Sequence, residues 1–182
     1  MPGVQQDKAV LRKQLLAARS ALNADERREA GRLIRDSLLD LPELQMAGTV
    51  AAYYSVGAEP DTRGLVYALW KHGTYVLLPL LRPDGDLDWA SYEGPDSLVP
   101  GPRGLREPGE PPRGADTVAR ADVVLAPALA VDQAGNRLGR GGGSYDRAPL
   151  RRRVARRGAR RPPRPAGSAG GAAANGNNAP SV

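Results

Sequence analysis

Between residues 49 and 81 the chain reads "TVAAYYS", then "RGLVYALWKHG", then "TYVLLPLL". The first and last runs are apolar, β-rich and of strand length, and the middle one has helical spacing and ends at Gly73. Strand, helix and strand in this order favour an α/β protein built on a mostly parallel sheet with helices on both faces. No other feature narrows the fold as far, because the remaining elements must fit around that unit.

Two helices are expected before it. "DKAVLRKQLLAARSAL" places Val10, Leu11, Leu15, Leu16 and Ala18 near helical spacing, among Lys8, Arg12, Lys13 and Arg19. "LNADERREAGRLIRDSLLDLP" opens with Asn23 as N-cap and Glu26 three residues on, carries Leu33, Ile34, Leu38 and Leu41, and stops at Pro42. After the unit, Asp84-Gly85 marks a turn into an edge strand bearing Leu87, Trp89 and Tyr92. Pro and Gly dominate residues 94–114, which predicts a long irregular connection. "ADVVLAPALAVD" then reads as one buried strand leading directly into a glycine-rich loop.

That loop, "GNRLGRGGGSYDR", holds five glycines, three arginines, a tyrosine and an aspartate in residues 135–147. Gly139, Gly141, Gly142 and Gly143 lack a Cβ, so the backbone can take positive φ and gather N–H groups around one object. Such a concavity binds anions, and Arg137, Arg140 and Arg147 share the preference. A loop at the carboxyl end of a strand is also where α/β sheets receive ligands. It is neither a P-loop, since no Gly-Lys-Ser/Thr follows, nor G-x-G-x-x-G, since Ser144 stands at the third glycine. A polyphosphate fits the loop, and Asp146 is placed to hold the Mg²⁺ that accompanies one.

Other residues keep two readings. Lys8 and Arg12, one helical turn apart, either reach one phosphate or form a solvated basic face. Glu59, in "YYSVGAEPDT", either accepts hydrogen bonds from a ligand or favours the next helix's N-terminal dipole while Asp61 and Thr62 cap it. His72, the single histidine, reads as a helix-end residue rather than a catalytic one.

Charge is unevenly spread. Eight of the 26 basic residues and none of the 20 acidic ones lie in residues 148–182, so the body is slightly acidic and gives no sign of a nucleic-acid binder. The tail is Arg, Pro, Gly, Ala and Asn without apolar periodicity, and disorder is expected there. Cysteine is absent, which excludes disulfides, thiolate metal sites and cysteine nucleophiles. Without a membrane-length apolar run or a signal peptide's apolar core, the chain is expected to be soluble and cytoplasmic.

"PALAVDQAGNRLGRGGGSYDR", "KAVLRKQLLAAR", "YYSVGAEPDT" and "GLREP" together resemble, in their correct order, the 5-formyltetrahydrofolate cyclo-ligase (5,10-methenyltetrahydrofolate synthetase) family. The resemblance implies a single three-layer α/β domain and ATP-dependent closure of 5-formyltetrahydrofolate to 5,10-methenyltetrahydrofolate. It implies a triphosphate held by Lys8, Arg12, Arg137, Leu138, Gly139, Arg140, Gly141, Gly142, Gly143, Ser144 and Tyr145, with Arg137 and Tyr145 in catalytic roles. Asp146 becomes the Mg²⁺ ligand, and Glu59 with Tyr54 the folate site. A monomer is expected. Ser144 departs from the family, which carries an aromatic residue there, and residues 148–182 do not follow its pattern; their composition is that of GC-rich coding sequence read in another frame. The domain is therefore expected over 1–147. The alternative is an impaired enzyme or a phosphometabolite-binding protein whose basic tail docks on polyanions.

Overall fold

The computed structural model describes residues 2–150, so the tail expected to be disordered lies, from Arg151 on, outside the described residues. Helix α1 (Pro2–Ala21) is followed by α2 (Ala24–Leu39), with Asn23 as its N-cap. The Asn23 side chain accepts the Glu26 N–H at 2.9 Å and the Glu26 carboxylate accepts the Asn23 N–H at 2.8 Å, the reciprocal box the sequence predicts. Pro42 does more than end this helix. It sits at the start of a one-turn helix α3 (Pro42–Gln45), where its missing N–H leaves no donor unsatisfied.

The central unit follows as β1 (Thr49–Ala51), α4 (Arg63–Lys71) and β2 (Tyr75–Leu81), with β1 and β2 parallel. The Asp84-Gly85 turn returns the chain as β3 (Leu87–Ser91), antiparallel to β2 and at the sheet edge. Residues 94–114 are more ordered than their composition suggests: β4 (Leu98–Pro100) and β5 (Arg106–Pro108) pair as a small antiparallel ribbon between 3-10 turns. A longer 3-10 segment, Ala115–Arg120, leads to β6 (Val123–Val124), which completes the sheet order β3-β2-β1-β6 by pairing parallel with β1.

The single strand expected over "ADVVLAPALAVD" does not form. Its last bond to β1 is Leu125 N–H to the Ala51 carbonyl, 2.8 Å. Pro127, which has no N–H to donate, takes the chain out of the sheet. The rest of the run becomes β7 (Ala130–Val131), paired antiparallel with β8 (Arg137–Leu138) in a separate hairpin. The glycine loop thus leaves this hairpin and ends in one turn of helix, α5 (Ser144–Arg147).

Alternation along the strands builds two cores. Val50, Ala52, Val76 and Leu78 point to the face covered by Leu65, Val66 and Leu69 of α4, with Leu38 and Leu39 of α2 packed beside them. Full burial of each large aliphatic contributes about 1.5 to 3 kcal/mol. Ala51, Leu77, Leu87 and Trp89 point to the other face, where Val118, Tyr145 and Leu150 meet them. Helices therefore cover both faces, but the second cover, among the described residues, is a 3-10 segment and the short α5. No helix among the described residues is long and apolar enough to cross a membrane.

Candidate functional site

The glycine loop is pinned by arginines. The Arg137 guanidinium, from β8, donates to the Pro127 carbonyl at 2.8 Å, pairs with Asp146 and lies 5.7 Å over the Tyr145 ring. Arg12, from α1, donates through Nε to the Gly139 carbonyl at 3.0 Å. Arg147 bonds Asp86 and donates to the Gly85 carbonyl at 2.8 Å, which ties α5 to the β2–β3 turn. Arg147 is therefore a latch, where composition suggests an anion contact; the Asp-Gly turn was legible, its distant partner was not.

Within the loop Gly141 (φ 108°) and Gly143 (φ 71°) are left-handed. Gly139 and Gly142, expected to need the same freedom, do not adopt positive φ. Carbonyls of Gly139, Gly142 and Gly143 accept hydrogen bonds from Arg12, Arg147 and the α5 backbone. By contrast, none of the N–H groups from Gly139 to Gly143 donates to a protein acceptor among the described residues. A run of N–H donors without partners among the described residues, with three of its five carbonyls engaged, is suited to an anion.

Glu59 reaches this loop from the segment after β1. Its carboxylate, 12% exposed, accepts the Val56 N–H at 3.1 Å and pairs with Arg140 at 3.4 Å across 81 residues of sequence. The helix-capping alternative goes to Asp61, which accepts the Arg63 N–H at 2.9 Å and the Arg63 guanidinium. That pairing holds the Asp61 carboxyl below the usual carboxylate range. Thr62 ties the same segment down by donating to the Tyr53 carbonyl at 2.7 Å and accepting the Ser55 N–H. One side of Glu59 opens on a polar cleft of about 330 Å³ bordered by Arg27, Arg28, Ser55, Asp61 and Arg63.

The two tyrosines after β1 part company because successive side chains in an extended chain point to opposite sides. Tyr54 packs toward the first core, 6.4 Å from the Tyr92 ring. Tyr53 is the one beside Glu59: burial first, then that carboxylate, pushes its hydroxyl up to about 12, against the opposing charge of Arg19. Tyr145 meets Trp89 edge-on at 6.3 Å, and burial raises its pKa, helped by Glu59 and Tyr53 and opposed by Arg137. Its hydroxyl is buried and has no partner among the described residues, as is the indole N–H of Trp89. Such groups cost free energy until something bonds them.

Lys8 is exposed one turn before Arg12, Leu138 is half-buried in β8, and Ser144 opens α5. His72 bonds the Ala68 carbonyl at 2.7 Å at the end of α4, the helix-end position expected of it. Among the described residues no group of three or more His, Cys, Asp or Glu side chains could hold a metal. Asp146 stands as a single carboxylate, 71% exposed and paired with Arg137. It suits a Mg²⁺ held chiefly by water and by a ligand's phosphates, and not a cage made by protein alone.

The site is thus an α/β domain's glycine loop, rich in N–H donors, paired through Arg140 to the Glu59 carboxylate and followed by the buried Tyr145. The sequence model of the 5-formyltetrahydrofolate cyclo-ligase family matches residues 4–163, and the chain belongs to that family of ligases. The match runs past Arg147 into residues 148–163. Over 113 residues the chain is 48% identical to the 5-formyltetrahydrofolate cyclo-ligase of Mycolicibacterium smegmatis, covering 59% of this chain and 58% of that protein's length. It is 37% identical over 131 residues to the Escherichia coli K12 protein of the same name, covering 71% and 72%. The solution structure of Aquifex aeolicus 5,10-methenyltetrahydrofolate synthetase superposes with a TM-score of 0.67 at 30% identity, over 78% of this chain and 71% of that one.

Proposed function

We propose that the chain converts 5-formyltetrahydrofolate to 5,10-methenyltetrahydrofolate, using ATP and Mg²⁺ and releasing ADP and phosphate. Family membership supports the reaction. The observation that carries the site assignment is the run of N–H groups at Gly139 to Gly143 without partners among the described residues, joined to Glu59 through Arg140.

The chemistry explains the need for two neighbouring subsites. A formyl oxygen is a poor leaving group, so the γ-phosphoryl of ATP is transferred to it; N10 then attacks the activated carbon, and the C–O bond breaks to release phosphate. Transfer requires the formyl oxygen and γ-phosphate in line and the developing charge neutralised. In this reading the loop N–H groups and the Ser144 hydroxyl cradle the phosphates, Leu138 and Gly139 contributing backbone. Lys8 and Arg12 approach from α1 and Arg137 and Arg140 from the loop. Glu59 accepts from the ring nitrogens of the folate, with Tyr54 on one side of that segment and Tyr53 on the other. The Tyr145 hydroxyl gains its missing partner from bound ligand, which orients the reacting groups in a dry setting. Asp146 and the phosphates would hold Mg²⁺, which when bound offsets phosphate charge.

The test is an assay of ADP and of the methenyl chromophore with and without 5-formyltetrahydrofolate. Folate-dependent ADP release matched by methenyl product is expected. ATP bound without folate-dependent turnover would overturn the reaction and leave a binding protein.

A further inference from the structure

Helix α1 rests on the body with little apolar support. Val10 is 53% exposed and Leu11 43%, while Leu15 and Leu16 are only half-buried. Among the described residues its long-range polar contacts are two arginine–carbonyl bonds: Arg12 Nε to Gly139 at 3.0 Å, and Arg19 Nη2 to Ala128 at 2.9 Å, both partly buried. Seven residues separate the arginines, close to two turns, so they leave the same face of the helix. Their acceptors flank the two strands of one hairpin. Ala128 lies two residues before β7 and Gly139 directly after β8, at the end of the hairpin where the Leu129 N–H bonds the Leu138 carbonyl at 2.8 Å. α1 therefore grips the base of the β7–β8 hairpin from both sides, at the point where β8 passes into the glycine loop.

We propose that Arg19 is a positioning residue of the phosphate site, fixing α1 on the hairpin so that Arg12, and Lys8 one turn before it, meet the loop in register. The inference rests on the nucleotide reading above. Arg12 alone is a single pivot, about which a helix with exposed apolar residues can swing. A second bond two turns away removes that freedom. Because the donor is charged and the acceptor a neutral carbonyl, the bond is of the stronger kind, and its loss is equivalent to about a tenfold change in an equilibrium. Arg19 is also near enough to Tyr53 for its charge to oppose the rise in that hydroxyl's pKa.

The experiment uses the full chain. Arg19→Met keeps the stem and removes the donors; Arg19→Lys keeps a donor on a shorter fork; Arg32→Met, which removes an exposed pair with Glu29, is the control. Hydrogen exchange of residues 8–19 is measured without nucleotide, and Mg-ATP affinity by calorimetry. Arg19→Met should exchange faster through α1 and bind ATP about tenfold more weakly, Arg19→Lys should recover part of both, and Arg32→Met should match wild type. Wild-type ATP affinity in Arg19→Met, or equal losses in Arg32→Met, overturns the inference. Faster α1 exchange in Arg19→Met in a chain whose wild type binds no ATP overturns the nucleotide reading instead, and the proposed role with it.

Discussion

Replacing Gly143 with alanine should weaken ATP binding about tenfold or more, while the same change at Gly142 should leave it within about twofold. Gly143 has φ 71° and ψ −4°, a left-handed conformation that costs an ordinary L-residue about 1 to 2 kcal/mol. A Cβ there would also lie 2.7 Å from Arg147 Nη1 and 3.8 Å from its Cζ. The guanidinium can swing aside, since it ends a flexible side chain. In doing so it gives up its contact with the Gly142 carbonyl and disturbs the latch on Gly85, at roughly a further 0.5 to 1.5 kcal/mol. At Gly142 neither cost arises, because φ is not left-handed and the nearest atom to a new Cβ is Ser144 Oγ at 4.0 Å. Gly141→Ala falls between, with φ 108° but only Arg12 Nε nearby, at 3.9 Å. Calorimetric ATP titration of the three variants reads the order directly. Melting temperature shows whether the strain stays in the loop, because a global loss of 1 kcal/mol in a chain of this size lowers it by about 2 to 4 °C. Equal damage at Gly142 and Gly143, or an unaffected Gly143→Ala, would refute the loop geometry as the source of affinity.

Glu59→Gln retains an oxygen for the Val56 N–H but loses the ion pair to Arg140, so folate affinity should fall while ATP affinity, measured in parallel, changes little. Tyr145→Phe removes a buried hydroxyl without a partner among the described residues; melting temperature should hold or rise while turnover drops, and a clear loss of stability would count against an empty hydroxyl. Alkaline pH should unfold the chain through its buried phenols: Tyr53, raised from 10 to about 12, binds its proton more tightly folded than unfolded. Its stabilisation is complete below pH 10 and lost on rising to about 12, and Tyr53→Phe should flatten that part of a melting-temperature profile.

Local patterns were readable where a few neighbouring residues decide the outcome. Asn23 and Glu26 form their box, Asp84-Gly85 makes its turn, and the apolar spacing of residues 49–81 yields the parallel β1–α4–β2 unit. The positive φ expected of the loop's glycines is present at Gly141 and Gly143. What escaped depended on distant partners or on one-residue register. Tyr53 and Tyr54 are indistinguishable until β1 fixes which side each takes. Arg147 and Asp86 are 61 residues apart, and nothing in either segment announces the other. Pro127 is in plain view, yet the uncharged stretch of residues 123–131 around it has the composition of one strand, and it splits where that proline stands.

On the proposed reading, the arrangement also revises where the loop's attraction for anions comes from. All three of its arginines are engaged with a carboxylate: Arg137 with Asp146, Arg140 with Glu59, and Arg147 with Asp86. The three loop arginines are therefore charge-balanced in the ligand-free protein, and on the proposed reading the loop N–H groups, with Arg12 on the Gly139 carbonyl beside them, supply the standing preference. Each of these pairs has at least one well-exposed partner, and such pairs contribute only about 0 to 1 kcal/mol. A charge-assisted bond to phosphate is worth about 1.5 to 3 kcal/mol, so an arriving triphosphate can exchange the carboxylate on Arg137 or Arg140 at a net gain. On the proposed reading that exchange has two consequences: Asp146 is freed as the cation that travels with ATP arrives, and Glu59 is freed for the second ligand. Phosphate entry thus prepares both of its neighbours, and an order of binding, nucleotide before folate, follows from the pairing of the side chains.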